Sequence, residues 1–404
     1  MMRWANFFHI YQPPRWAAST IRKVTRESYR PLVRILKLHP RIHLTLNIAG
    51  SLTEQLAALG YRNLLQDIRL LLRRGQIEIT GTALYHPILP KLPSTEIRRQ
   101  ILLNTRINQK FFGADFHPRG IYFPEMAYGH AAATVSKKLG YRWMILDEIA
   151  YDGTLGRTQF TSHYRHARTG QSIILRNKIV SDYIAFSAPL RQPAAFWRHL
   201  EEDGRSDRVL VTAMDGETLG HHRPGADTLW QRLVTDPRVH AMTMTELLAT
   251  LDRPRRLLPR PSSWSSRPTE LRHHHPYLLW DDPTNPIHPL QWQLLNRVLR
   301  LVQRSSHAQA RMLMDQTLAS DQFWWASAKP WWSKKIVDAK VRELAAIAML
   351  LQPPATWANR LADRIITLTS QWQTSGRYQR ITQRYLASSP YEFVHYIGGK
   401  RITS

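Results

Sequence analysis

The stretch Val209-Leu-Val-Thr-Ala-Met-Asp-Gly-Glu-Thr-Leu-Gly-His-His222 constrains the fold more than any other part of this chain, because a short apolar run stops abruptly at a cluster of ionisable side chains. A Val/Leu run of that length suits a strand covered on both faces, as in a parallel sheet. Gly216 and Gly220 allow a sharp turn once the strand is over. Parallel α/β enzymes keep their chemistry at such strand ends, which makes Asp215 and Glu217 candidates. A single Asp-Gly-Glu is also what a solvated loop looks like, so the reading depends on whether the rest of the chain repeats the pattern.

The pattern recurs through residues 1–252, where apolar runs alternate with amphipathic segments in the order of a parallel α/β barrel. Residues 3–8 read as a strand that stops at His9-Ile-Tyr-Gln-Pro-Pro14, where two prolines end any ladder or helix. Residues 42–46 lead to Asn47. Residues 76–80 lead to a loop fixed by Pro87, Pro90 and Pro93 that presents His86. Residues 119–123 end at Pro124-Glu125, and residues 141–147 end at Asp147 and Glu148. Helical spacing marks 61–74, 94–111 with Ser94 as N-cap, and 130–139. Residues 159–177 read as a hairpin inserted in a barrel loop, and 239–243 with a helix over 244–251 as the closing unit.

Residues 253–269 are rich in Pro, Arg and Ser with no hydrophobic period, the signature of a linker or crossover. Beyond them strand signals vanish. Helical periods over 290–303, 308–319, 335–351, 357–372 and 378–386 make residues 270–404 a helical bundle. No apolar run is long enough to span a bilayer, and the first residues carry no signal-peptide core, so the expected location is cytoplasmic. Without cysteine there is no thiolate metal site, disulfide or cysteine nucleophile. The net charge of +26, from 56 Lys+Arg against 30 Asp+Glu, creates a field that attracts polyanions.

In a parallel barrel His9, Asn47, His86, Glu125, Asp147 and Asp215 all belong to one mouth. Glycoside cleavage needs two carboxyl groups flanking the scissile bond, and Glu125 with Asp215 can supply them. Aromatic residues of these loops, Tyr128 among them, offer stacking faces for sugar rings.

The chain resembles the retaining α-glucan-active glycoside hydrolases of family 57. His9-Ile-Tyr-Gln-Pro13 and Gly81-Thr-Ala-Leu-Tyr-His-Pro-Ile-Leu-Pro90 look like that family's first two blocks. Gly120-Ile-Tyr-Phe-Pro-Glu-Met-Ala127, Met214-Asp-Gly-Glu-Thr-Leu-Gly-His-His222 and Ser320-Asp-Gln-Phe-Trp-Trp325 look like the third to fifth, and Ser263-Trp264 resembles the stretch joining barrel and helices. The resemblance implies an incomplete (β/α)7 barrel with a helical C-terminal domain completing the substrate cleft. It further implies double displacement on α-1,4-glucans or maltooligosaccharides, with Glu125 as nucleophile, Asp215 as acid/base and no cofactor or metal. Its remaining implied roles are His9, Gln12, His86, Glu217 and Tyr128 around the sugar and Trp324 or Trp325 as a cleft wall. Two rival readings stand beside it: a metal-dependent deacetylase or mannosidase with Asp215, His221 and His222 as ligands, and a non-catalytic basic protein that binds polyanions.

Overall fold

Each apolar run that ends at one of these polar residues forms a strand in the computed structural model, which describes residues 1–202, 209–252, 254–388, 395–397 and 400–402. In chain order the strands are β1 (Met2–Ile10), β2 (Leu44–Ile48), β3 (Ile77–Ile79), β4 (Gly120–Tyr122) and β5 (Trp143–Asp147), then β6 (Tyr164–His166), β7 (Ser172–Arg176), β8 (Val209–Asp215), β9 (Val239–Met242) and β10 (Arg255–Leu257). The chain divides into two compact units. The first is built on Met1–Leu84 and Leu89–Pro268, the second on Tyr85–Ile88 and the helices beyond Thr269.

In the first unit, β3, β2, β1 and β8 run parallel in that order, and β4, β5 and β7 form a second parallel set. Backbone hydrogen bonds join the two sets on both sides. Gly81 N–H donates to Gly120 O and Tyr122 N–H to Gly81 O, both at 2.9 Å, while Asn177 N–H donates to Val211 O at 2.8 Å. The result is a curled α/β barrel. Both faces of its strands are covered, as the apolar composition demands. On β1, Phe7 and Phe8 point to opposite faces: Phe7 packs on Tyr122 with ring centroids 5.2 Å apart, and Phe8 meets Trp230 of the outer helix Ala226–Val234 edge-on, also at 5.2 Å.

Three expectations are corrected. The stretch read as a hairpin insertion does pair β6 antiparallel to β7, but β7 is itself a barrel strand parallel to β5. The β9 strand does not close the barrel; it lies along the first half of β1, from Met2 to Ala5, while β2 takes the second half. Ser94 is the first helical residue of Ser94–Phe112 rather than its cap, a position held by Pro93. In residues 253–269, read as a linker or crossover, β10 pairs with β6, and Ser262 O accepts from Tyr128 N–H at 2.8 Å.

Residues 18–38 carried no assignment from sequence. They form a helix, Ala18–Val24, a π turn, Thr25–Tyr29, closed by a hydrogen bond from Arg30 N–H to Thr25 O, and a further helix, Arg30–Leu38. Ile21, Val24, Thr25, Ser28, Tyr29, Leu32, Val33, Ile35 and Leu36 are buried, with a period of four rather than 3.6 from Ile21 to Val33 across the π turn.

The second unit packs Ile287–Gln303, Ala308–Thr317, Lys334–Leu351 and Thr356–Thr374 against one another, burying Leu295, Val298, Val341, Leu344, Ala358 and Ile365. Among the described residues no helix is long and apolar enough to cross a membrane.

Candidate active site

The register of three parallel strands sets the first row of the site. His9 on β1 is level with Asn47 on β2 and with Asp215 on β8. Asn47 Nδ2–H donates to Thr80 Oγ1 at 2.9 Å, so its Oδ1 is the acceptor that faces His9 Nδ1 at 2.7 Å. This fixes the tautomer: Nδ1 carries the hydrogen and Nε2 is the basic nitrogen. Burial lowers the His9 pKa to about 4, against a smaller opposing effect of the Asn47 bond, so the ring is neutral at ordinary pH. His9 stacks on Tyr122 at 4.6 Å, and Trp264 closes edge-on at 6.2 Å.

Glu125 follows β4 in a 3-10 turn, at φ 60° and ψ 19°. A side chain with a Cβ enters this left-handed region only when its surroundings force it there. Trp264 binds the residue at both its backbone and its side chain. Its backbone N–H donates to Glu125 O at 3.1 Å and its indole Nε1–H to Glu125 Oε2 at 2.8 Å. The Arg176 guanidinium lies 5.4 Å from the Trp264 ring centroid and binds Asp147 Oδ2 at 2.6 Å, Ala213 O at 2.7 Å and Asp182 Oδ1 at 3.3 Å. One buried cation thus ties the end of β5, the end of β8 and the segment that clamps Glu125.

Asp215 extends from β8 into a turn where Gly216 is obligatory, since a Cβ there would lie 2.5 Å from Ile10 Cγ2. Burial pushes the Asp215 carboxyl up to about 6, and Arg176 opposes the rise. Glu217 rises further, to about 8, through burial first and then the charge of Asp215. Three donors meet on one of its oxygens: the Tyr29 hydroxyl, Tyr11 N–H at 3.1 Å and Gln12 Nε2–H at 3.3 Å. With Oε1 occupied by donors, a proton held at neutral pH resides on Oε2. Ser28 Oγ–H on Gly216 O at 2.7 Å and the His221–Glu27 pair at 2.7 Å complete the grip of the π turn on this loop.

Tyr122 links the ends of β4 and β8: His9, level with Asp215, stacks on its ring, and Trp264, which binds Glu125, meets that ring edge-on at 5.9 Å. Its buried hydroxyl is held protonated by burial and then by the negative charges of both carboxyls. The other expected residues have partners of their own. Asp147 is engaged by Arg176 and by Ile149 N–H at 3.0 Å. Gln12 serves Glu217 and, at 3.4 Å, the Tyr29 hydroxyl. Tyr128 is fully covered, its hydroxyl between His130 Nδ1 at 2.9 Å and His166 Nε2 at 2.7 Å, so it has no face open to a sugar. His86 belongs to the second unit, with Nδ1 3.2 Å from Ser320 Oγ, and so do Trp324 and Trp325, which cluster with Trp331 at 5.2 and 5.6 Å.

Sequence reasoning missed Arg176 and Tyr29 and gave Trp264 no role. Arg176 obeys the same rule as Asp215, a charge that ends an apolar run, and was hidden by the hairpin reading. Tyr29 carries no local signal.

A family model described as Glycosyl hydrolase family 57 matches residues 4–258. An alpha-amylase of Pyrococcus horikoshii is 23% identical over 276 residues, 64% of this chain and 42% of that protein. A 4-alpha-glucanotransferase of Thermococcus kodakarensis is 22% identical over 286 residues, 65% of this chain and 43% of its own length. The chain therefore aligns with less than half of each of these relatives. Among solved structures, a GH57-type branching enzyme from Pyrococcus horikoshii superposes with a TM-score of 0.69 at 16% identity, covering 98% of this chain and 99% of that one, a likeness of fold. Since the family match takes in well over half of its residues, the chain belongs to glycosyl hydrolase family 57.

Proposed function

We propose that this chain cleaves or transfers α-linked glucans with retention of configuration, with Glu125 as nucleophile and Asp215 as acid and base. The observation that carries the reading is that the ends of β4 and β8 share one aromatic cluster: His9, level with Asp215, stacks on Tyr122 at 4.6 Å, and Trp264, bonded to Glu125, meets the same ring edge-on at 5.9 Å, with Asp215 raised into the range of a general acid. Membership of the family and the names of the relatives, alpha-amylase and 4-alpha-glucanotransferase, support an α-glucan as substrate.

In the first step Asp215 gives its proton to the glycosidic oxygen as the bond to the anomeric carbon breaks, and a Glu125 oxygen bonds to that carbon from the opposite face. The Trp264 indole N–H fixes the orientation of the Glu125 carboxylate for this attack. In the second step the Asp215 carboxylate takes a proton from an incoming hydroxyl, whose oxygen displaces Glu125 and restores the original configuration. Water as the incoming group gives hydrolysis and a sugar hydroxyl gives transfer. Neutral His9, its basic nitrogen on Nε2, is suited to accept a hydrogen bond from a sugar hydroxyl. His86, Trp324 and Trp325 are also proposed as residues that contact sugar.

The test is product analysis on a defined maltooligosaccharide, with the anomeric configuration of the first product read by NMR. Retention in the wild type and loss of turnover in Glu125→Gln and Asp215→Asn are expected. Inversion, or full turnover in Glu125→Gln, overturns the scheme.

A further inference from the structure

The outer face of residues 18–38 bears Arg22, Arg26, Arg30 and Arg34, with Lys23 and Lys37 beside them, all exposed. The only acid in this stretch is Glu27, held by His221 at 2.7 Å and reached by Arg26 at 3.5 Å; Lys37 is paired with Asp67 at 2.8 Å. Arg22, Arg30 and Arg34 have no ion pair among the described residues.

Spacing alone does not make these arginines a row. In a regular helix each four-residue step turns about 40° past a full turn, so three steps would carry the last arginine about 120° round the axis. The π turn Thr25–Tyr29 lies between them and takes up one extra residue, which gives back about 100°. Arg22 and Arg34 therefore end about 20° apart, and successive arginines follow one another at roughly 6 Å along the axis. The four-residue repeat of buried positions from Ile21 to Val33 is the same effect seen from the other side. Tyr61 backs the first and third arginines of the row, its ring centroid 6.0 Å from the Arg22 guanidinium and 5.2 Å from that of Arg30.

We infer that this arginine ridge is a docking surface for the phosphate backbone of a single-stranded nucleic acid. Guanidinium groups bind phosphate oxygens in a bidentate manner, and a single straight row meets a line of charges rather than a plane. A membrane is the poorer match, because Leu38, at the far end, is the one large apolar side chain of this stretch that is exposed, and no apolar face accompanies the charges. The ridge gives the +26 surplus a specific place of action.

The experiment is fluorescence anisotropy of a labelled single-stranded oligoribonucleotide titrated with the full chain over a series of salt concentrations. The triple variant Arg22→Gln/Arg30→Gln/Arg34→Gln is expected to reduce the slope of log affinity against log salt by about 2, at about 0.7 per lost phosphate contact. A control triple of equal charge change, Arg360→Gln/Arg364→Gln/Arg380→Gln, uses arginines exposed on helices of the second unit and is expected to leave the slope unchanged. Maltooligosaccharide turnover and the thermal melt report folding separately. If the ridge triple melts early, the corresponding Arg→Lys triple replaces it, and retention of the slope is then expected. Equal losses in the two Gln triples mean that only net charge acts, and this overturns the inference. Ridge-dependent binding to phosphatidylserine vesicles without binding to the oligonucleotide overturns it as well.

Discussion

Two strand ends, those of β5 and β8 with β7 between them, each carry an aspartate, and they have opposite fates. Asp147 accepts from the Arg176 guanidinium at 2.6 Å and from Ile149 N–H at 3.0 Å, and its side chain is fully buried. Asp215 feels Arg176 only at a distance, and burial holds its proton up to about 6. In sequence the two are alike, an apolar run followed by Asp. The difference teaches that position on a barrel strand brings a carboxyl to the mouth, while the placement of the nearest cation decides whether it becomes a structural anion or an acid with a proton to give.

The comparison can be broken most forcefully at Asp215. Asp215→Asn should lower kcat/KM on a maltooligosaccharide by about 10²- to 10⁴-fold, with little change in stability. A variant that keeps wild-type turnover would remove the distinction. Asp147→Asn should do the reverse. Leaving Arg176 with a reduced set of anionic partners in the interior costs roughly 3 kcal/mol in a urea melt, the scale of a broken buried pair, while kcat changes far less than in Asp215→Asn. Wild-type stability combined with lost turnover would place Asp147 in the chemistry. Trp264→Phe keeps the ring over Arg176 but removes the indole N–H from Glu125. A hydrogen bond to a charged group is worth about 1.5–3 kcal/mol, so kcat/KM should fall by roughly 10- to 100-fold.

The smallest effect sharpens the pairing of Asp215 with Glu217. Glu217→Gln imitates the neutral carboxyl, and turnover near pH 6 should change by no more than about twofold. Stability separates the two forms with pH. Glu217 has its folded pKa raised, from 4.5 to about 8, so the folded wild type holds a proton that the unfolded chain releases. Its stability contribution is present below the unfolded value and is lost as pH rises through that interval. The melting temperature of Glu217→Gln should therefore gain on wild type between about pH 5 and pH 8. A constant difference across that range would mean that Glu217 is ionised throughout.

Much of this was legible in the chain itself, for physical reasons that also set the limit. A strand buried on both faces writes its identity locally, as a run of apolar residues, and a parallel fold brings the ends of such runs together. The level row Asn47, His9, Asp215 follows from those two facts. What was misread concerns choice of partner. Nothing within Ser172–Arg176 or Val239–Met242 says which neighbour it will pair with, and so β7 was mistaken for an insertion and β9 for the closing strand. The supports of the site lie at greater range still. Tyr29 meets Glu217 across 188 residues and Trp264 meets Glu125 across 139, in contacts that no local period encodes. Trp264 also lies in a stretch whose Pro, Arg and Ser content reads as linker, because a segment that clamps one side chain needs no hydrophobic period of its own.

The left-handed backbone at Glu125 has a consequence for how this position could drift. At φ 60° a glycine carries no steric penalty and an asparagine a small one, so either replacement relaxes the backbone by about 1 kcal/mol or more while giving up the Trp264 bond to the carboxylate. The two effects are of one size, so a screen for heat resistance or expression alone would exert little pull to keep the glutamate. The residue on which the proposed reaction depends is thus one that folding alone would not select.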